Sequence, residues 1–131
     1  VRIADRAIMS GLTGLHQFVR VGRLAMLSGL SGLMLDLPPF CYATGPRAKL
    51  AGINVIGLRR AGFSSETIRA IKHAYMELFL STRTMKESIE LLRSKPQPPE
   101  VMEMIEFCET TERGLCSSRA KSRKLKEEDD E

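Results

Sequence analysis

Residues 1–38 read VRIADR AIMSGL TGLHQF VRVGRL AMLSGL SGLMLD LP when broken into sixes. The third place of each complete hexad holds Ile3, Met9, Leu15, Val21, Leu27 and Leu33, always aliphatic or methionine. The first place holds Val1, Ala7, Thr13, Val19, Ala25 and Ser31, which are mostly small. Gly11, Gly14, Gly22, Gly29 and Gly32 fall between them. At ~3.6 residues per helical turn a period of six scatters around the axis and builds no single buried face. Each internal glycine would also cost a helix ~1 kcal/mol. A solenoid explains the period. Each hexad is one short strand plus a corner, with one large aliphatic side chain pointing into a prism. Glycine is expected to supply the corners' backbone freedom. On periodicity alone two or three ordinary short strands with glycine turns stay open, because 43% of the chain is hydrophobic.

Composition sets outer bounds. The chain of 131 residues suffices for one modest domain. No apolar run approaches the ~20 residues that span a bilayer. Arg2, Asp5 and Arg6 interrupt any signal-peptide core at the start. Cys41, Cys108 and Cys116 are odd in number, widely spaced and without a CxxC pair. They read as reduced thiols of a cytoplasmic protein, with no zinc site or other metal expected. The net charge of +4 suits an anionic ligand or an acidic partner without demanding one. A solenoid ending bluntly at Val1 would expose unpaired backbone groups, so either further turns precede it or another chain covers that end.

Past the hexads, Leu37-Pro38-Pro39 removes two backbone donors and is expected to end the strand ladder. Residues 40–63 read as a connecting segment. A helix is expected from Ser64 or Ser65, with Glu66 in its first turn and Ile68, Ile71, Tyr75, Leu78 and Phe79 on one face. Thr84 with Glu87 forms a capping box for a second helix that buries Ile89 and Leu92. A third starts at Pro98 or Pro99 and carries Val101, Met104, Ile105 and Cys108. These helices make a domain over 64–116. The charged stretch 117–131 has too little apolar surface to fold and is expected to be disordered.

Several elements together resemble a known family. They are Leu15-His16-Gln17-Phe18, Gly29-Leu30-Ser31-Gly32, Asp36-Leu37-Pro38-Pro39, Gly52-Ile53-Asn54-Val55, Gly57-Leu58-Arg59-Arg60, Gly62-Phe63-Ser64 and Arg113-Gly114-Leu115. The sequence is similar to the C-terminal part of the bacterial acyl-carrier-protein–UDP-N-acetylglucosamine O-acyltransferases, which open lipid A synthesis. The resemblance runs without a gap through residue 63 and more loosely to about residue 115. It implies a left-handed parallel β-helix over residues 1–39 followed by a helical domain, an exception to the usual crossover hand. It also implies a homotrimer with substrate clefts between neighbouring β-helices. The implied reaction moves a 3-hydroxyacyl chain from acyl carrier protein to the 3-hydroxyl of UDP-N-acetylglucosamine, with no cofactor.

Site residues follow from the same resemblance. An imidazole at His16 can hydrogen-bond a sugar or acyl oxygen at neutral pH, and the family places His16 and Gln17 at the substrate cleft. Asn54 and Arg60 are implied to hold the UDP portion, since an amide reads polar edges and a guanidinium grips phosphate. Read without the family, Asn54 is a turn residue and Arg59-Arg60 a solvated pair. Gly29 matches a position whose size helps set acyl length, and is equally a corner glycine. Arg69 and Lys72 are candidates to meet the acidic carrier. Ile56, Ala61 and Arg47 depart from the family, which commonly has an acid, a further base and a histidine there.

The family's general base is a histidine on an earlier turn. It is therefore expected upstream of Val1, and no catalytic residue is assigned within residues 1–131. These residues alone are expected to be inactive. The alternative is a non-catalytic, trimerising module that binds a nucleotide sugar or a carrier protein. Nucleic-acid binding by the basic run from Arg119 to Lys126 is disfavoured, because no aromatic residue is interleaved and acid follows directly.

Overall fold

The computed structural model describes residues 1–9, 11, 14–15 and 17–118. Six two-residue strands come first: β1 (Arg2–Ile3), β2 (Ile8–Met9), β3 (Gly14–Leu15), β4 (Arg20–Val21), β5 (Met26–Leu27) and β6 (Gly32–Leu33). They pair in parallel with a constant offset: Arg2 with Arg20, Ile8 with Met26 and Gly14 with Gly32. Three hexads therefore make one turn, and the turns stack into a three-faced, left-handed parallel β-helix. These parallel pairings exclude the alternative of two or three ordinary short strands with glycine turns.

Burial rises along the prism because each rung needs a neighbour on both sides. Ile3 on the first turn is 46% exposed, whereas Val21 beneath it is 2% and Leu27 and Leu33 are 0%. The small first-place residues Val19, Ala25 and Ser31 are buried as well.

Two expectations about the prism need correction. The left-handed corner backbone is carried by Arg6, Phe18, Leu24, Leu30 and Phe40, with φ between 55° and 68°, rather than by the hexad glycines. Gly22 has a different task, since a Cβ there would overlap the backbone of Pro39. The ladder also continues beyond Pro38-Pro39. Leu37 bridges Val21, and β7 (Cys41–Thr44) pairs in parallel with β5, Tyr42 opposite Met26. The prolines fall at a corner, where the donor is Phe40 N–H to Arg23 O at 2.9 Å, so their missing donors leave no ladder bond unmade. The turn from Val21 to Leu37 is shorter by two residues than the one before it, and the loss falls between Leu33 and Leu37, ahead of the proline corner.

The segment read as a connector is itself structured. β8 (Lys49–Ile53) pairs antiparallel with β7 and extends that face to four strands. The short helix α1 (Val55–Arg60) follows, then α2 (Ser65–Tyr75), a π-helical turn (Met76–Leu80), α3 (Met85–Arg93) and α4 (Pro99–Glu109). Ser64 caps α2, and Thr84 with Glu87 forms the capping box of α3. The buried faces hold Ile71, Tyr75, Leu78, Phe79, Ile89, Leu92, Val101, Met104, Ile105 and Cys108, all continuous with the prism core.

Two arginines of one rung clamp α4 against the prism. Arg20 donates to Asp36 Oδ2 at 3.4 Å, to Phe107 O and to Thr110 Oγ1, and lies 4.2 Å from the Phe107 ring centroid. Arg23 forks onto Glu103 and stands over Phe40 and Phe63. The hydrogen bond to Glu103 holds the Arg23 pKa above its ordinary value. Residues 103, 107 and 110 share one helix face, so the pair grips along α4's length. Asp36, 1% exposed, also accepts from Arg20 N–H at 2.8 Å and Thr111 Oγ1 at 2.7 Å.

The C-terminal stretch then returns to the prism through bridges from Asp36 to Leu115 and from Leu50 to Ser118. Residues 117 and 118 are therefore attached, contrary to the expected start of a disordered tail. Leu50 N–H donates to Ser117 O at 2.8 Å, and Ser118 is 2% exposed. Residues 119–131, with the rest of that expectation, lie outside the described residues.

Three measurements test this packing. Gly22→Ala should destabilise the chain by ~1–3 kcal/mol in urea unfolding, because the new methyl must displace backbone. Burial pushes the Cys108 and Cys116 thiols up to about 12, and raises Cys41 well above 9.0. A raised acid favours the neutral form in the fold, so this contribution is complete below about pH 9 and is lost as pH climbs towards 12. Stability should be flat near neutrality and fall through that alkaline window. All three thiols should react with a thiol reagent at pH 8 only as fast as the chain opens.

Candidate functional site

A cleft with a volume of about 860 Å3 lies between the prism and α1. Its floor is the outer side of the β2–β5–β7 face, where Ile8, Met26 and Tyr42 stand opposite one another on successive rungs. Rungs lie ~4.8 Å apart, so this ladder is ~10 Å long. Ile53, Val55 and Ile56 form a second apolar wall from the end of β8 and the start of α1. Arg6 and Arg60 also line it, and no described carboxylate does.

Asn54 is the joint between wall and floor. Its Oδ1 accepts from Gly57 N–H at 3.1 Å and caps α1. Its Nδ2 donates to Leu24 O at 3.0 Å, and its own N–H donates to Phe40 O at 2.7 Å. Leu24 and Phe40 are stacked corner residues, so one amide fixes the helix start to two layers of the prism. A Cβ at Gly57 would overlap the Asn54 side chain, which is why the third residue of α1 is glycine. Asn54 is 5% exposed.

Arg60 ends α1, is exposed, and makes no side-chain hydrogen bond or ion pair among the described residues. Its neighbour Arg59 is also exposed but does not line the cleft.

The site residues expected from sequence fall on three different corners. Asn54 and Arg60 share the cleft beside the Arg6–Leu24–Phe40 corner. Gln17 is exposed at the corner before Phe18. Gly29 is exposed at the third corner, before Leu30. There Ser28 Oγ meets Ser31 Oγ at 2.8 Å and donates to Thr44 Oγ1 at 2.6 Å. His16 lies outside the described residues. Ile56 and Ala61, two of the departures, line the cleft, whereas Arg47 does not. Arg69, Lys72 and His73 are exposed on α2.

Sequence reasoning missed Arg6, Ile8, Met26 and Tyr42. A signal existed for the pair Ile8 and Met26: both occupy the outward second place of their hexads, one full turn apart, where solvent-facing residues are expected.

Among the described residues no cluster of His, Cys, Asp or Glu has the makings of a metal site, and no helix is long and apolar enough to cross a membrane.

A hexad prism with a helical clamp and an apolar, cationic cleft defines a hexapeptide-repeat, left-handed parallel β-helix protein. A model of the family described as UDP N-acetylglucosamine O-acyltransferase, domain 2, matches residues 36–116, and the chain belongs to that family. It is 42% identical over 114 residues to an acyl-[acyl-carrier-protein]–UDP-N-acetylglucosamine O-acyltransferase of Anaeromyxobacter sp., covering 86% of this chain and 44% of that protein. The enzyme of the same name from Myxococcus xanthus is 41% identical, over 88% of this chain and 45% of its own length. The UDP-N-acetylglucosamine acyltransferase structures from Bacteroides fragilis and Francisella novicida superpose with TM-scores of 0.83 and 0.85 at 36% and 31% identity. They cover 86% and 92% of this chain, and 45% of each neighbour. The chain thus spans less than half the length of the curated relatives it matches.

The coupling of Asn54 with Gly57 is open to a double-mutant cycle. Asn54→Ala should cost ~2 kcal/mol through the lost cap and the unpaired Leu24 carbonyl. Gly57→Ala should cost ~1–3 kcal/mol by overlap. In the double variant the overlap is absent and alanine favours the helix. The combined loss should therefore be smaller than the sum by ~1 kcal/mol or more.

Proposed function

We propose that residues 1–131 form the nucleotide-sugar-binding part of an enzyme that transfers a 3-hydroxyacyl chain from acyl carrier protein to the 3-hydroxyl of UDP-N-acetylglucosamine. What supports this is family membership together with one observation: Asn54 and Arg60, at the two ends of α1 and unpartnered by any carboxylate among the described residues, line the same cleft. Arg60 holds phosphate charge by guanidinium geometry. Asn54, whose Oδ1 and one Nδ2 hydrogen are already engaged, works chiefly by fixing α1 and leaves only its residual hydrogen-bonding capacity to a ligand.

In the reaction the sugar hydroxyl oxygen attacks the thioester carbonyl, a C–O bond forms and the C–S bond breaks. The hydroxyl proton passes to a general base, which returns it to the departing sulfur, so the carrier leaves as its thiol. No residue of this chain is assigned as that base. His16 and Gln17 serve binding and positioning, and Gly29 leaves room along the acyl chain.

Because Gln17 and Gly29 stand at two corners of one prism and Arg60 beside the third, a site using all of them is shared between chains. A homotrimer meets that requirement. Phe18 and Leu30, each 72% exposed at their corners, suit such contacts. Arg69 and Lys72 are proposed to face the carrier, in the cytoplasm.

The test uses the complete protein that carries these residues, with 3-hydroxyacyl carrier protein and UDP-N-acetylglucosamine. Acylated nucleotide sugar should appear by mass spectrometry. Arg60→Gln should raise the KM for the nucleotide sugar roughly tenfold, with a smaller change in kcat. Absence of the acylated sugar in the unaltered protein would remove the proposal.

A further inference from the structure

We propose that Arg6 is a second phosphate-binding cation, acting across the cleft from Arg60 and selecting nucleoside diphosphates over monophosphates. The inference rests on the nucleotide-sugar reading of the cleft and adds to it a residue and a selectivity.

Its basis is the position of one corner. Arg6 stacks on Leu24, the residue whose carbonyl holds the Asn54 side chain. The layers are joined by Leu24 N–H donating to Asp5 O at 3.1 Å. Arg6 therefore stands one rung, ~4.8 Å, above the anchor point of α1. Arg60 is at the far end of that six-residue helix, ~9 Å along its axis. Both side chains line the cleft. An extended guanidinium reaches several ångströms from its backbone, so one anion of two linked phosphates can meet both.

Electrostatics point the same way. Neither Arg6 nor Arg60 has a side-chain partner among the described residues, although Arg20, Arg23, Arg83 and Arg93 are all paired with carboxylates. Two like charges facing one carboxylate-free, largely apolar cleft repel each other until an anion enters, and the low-dielectric walls strengthen their attraction for it. A single phosphate satisfies one fork, whereas a diphosphate satisfies two. The corner backbone of Arg6 also matters: at φ 58° it sits in the left-handed region, which sets the direction in which the side chain leaves the prism.

Titration calorimetry of the complete protein that carries these residues with UDP, UMP and uridine tests this, comparing wild type with Arg6→Gln and Arg6→Lys. Circular dichroism and thermal melts establish that each variant is folded. Arg6→Gln should weaken UDP about tenfold and leave uridine unchanged, which collapses the preference for UDP over UMP. Arg6→Lys should recover part of that preference, because the charge remains and the fork is lost. Equal UDP affinity in Arg6→Gln, or an equal loss for uridine, overturns the role of Arg6 and leaves the nucleotide reading standing. A complete wild-type protein that binds none of the three ligands sinks the underlying reading itself.

Discussion

The corner at which Arg6, Leu24 and Phe40 stack ties the fold to its cleft. All three hold a left-handed backbone without being glycine, a conformation costing ~1–2 kcal/mol per residue. At Leu24 and Phe40 that cost is met by burial, at 3% and 0% exposure, worth ~1.5–3 kcal/mol per side chain. Arg6 has no such compensation and is held by its rung alone. The strained corner turns two carbonyls outward, those of Leu24 and Phe40, and Asn54 engages both through its side chain and its backbone. Without that engagement a six-residue helix has no independent stability, since helices shorter than ~12 residues are marginal in water. The position of Arg60 is thus inherited from corner geometry laid down more than thirty residues earlier in the chain.

A second constraint keeps the helical part registered on the prism. Arg20 and Arg23 belong to the same rung and corner, and they reach residues 103, 107 and 110 on one face of α4. Individually exposed ion pairs contribute little. Here the guanidiniums also cover aromatic rings, and Asp36 beneath them is buried and accepts three hydrogen bonds. The arrangement fixes direction more than it adds stability. α4 can dock with only one polarity and one register, and the returning strand at Leu115 then adds to Asp36 in turn. Prism, clamp and C-terminal stretch therefore converge on one residue, Asp36, the first two through its carboxylate and the last through its backbone.

The hexad period was legible because one aliphatic per rung is a geometric necessity, and the helix caps at Ser64 and Thr84 were legible because they are local chemistry. Less legible was everything set by stacking. Corners were assigned to glycine on conformational preference, yet bulky residues occupy them because the next layer supplies the compensating contacts. The double proline hid β7, since a donor count along the sequence does not reveal that the prolines sit at a corner. Helix α1 was unread because its stability comes from Asn54 and tertiary contact rather than from propensity. Of the site, Asn54 and Arg60 emerged from family resemblance and meet in one cleft. Arg6, Ile8, Met26 and Tyr42 depend on rung register, which no local pattern displays.

The chemistry of the cleft follows from what its lining lacks as much as from what it holds. An outward β-helix face ordinarily carries polar side chains, whereas Ile8, Met26 and Tyr42 make this one apolar. Ile56 keeps 65% of its surface exposed on the opposite wall, and no described carboxylate tempers the two arginines. A ligand matching that lining has an extended apolar or flat portion about as long as three rungs and concentrated negative charge beside it. A small anion alone would leave the ladder wet, and an apolar chain alone would leave both guanidiniums unpaired. Complementarity to both halves at once is what a nucleotide offers, with its base against the ladder and its phosphates at the rim. The cleft's mixed character, more than either arginine separately, therefore argues for a ligand of that bipartite kind.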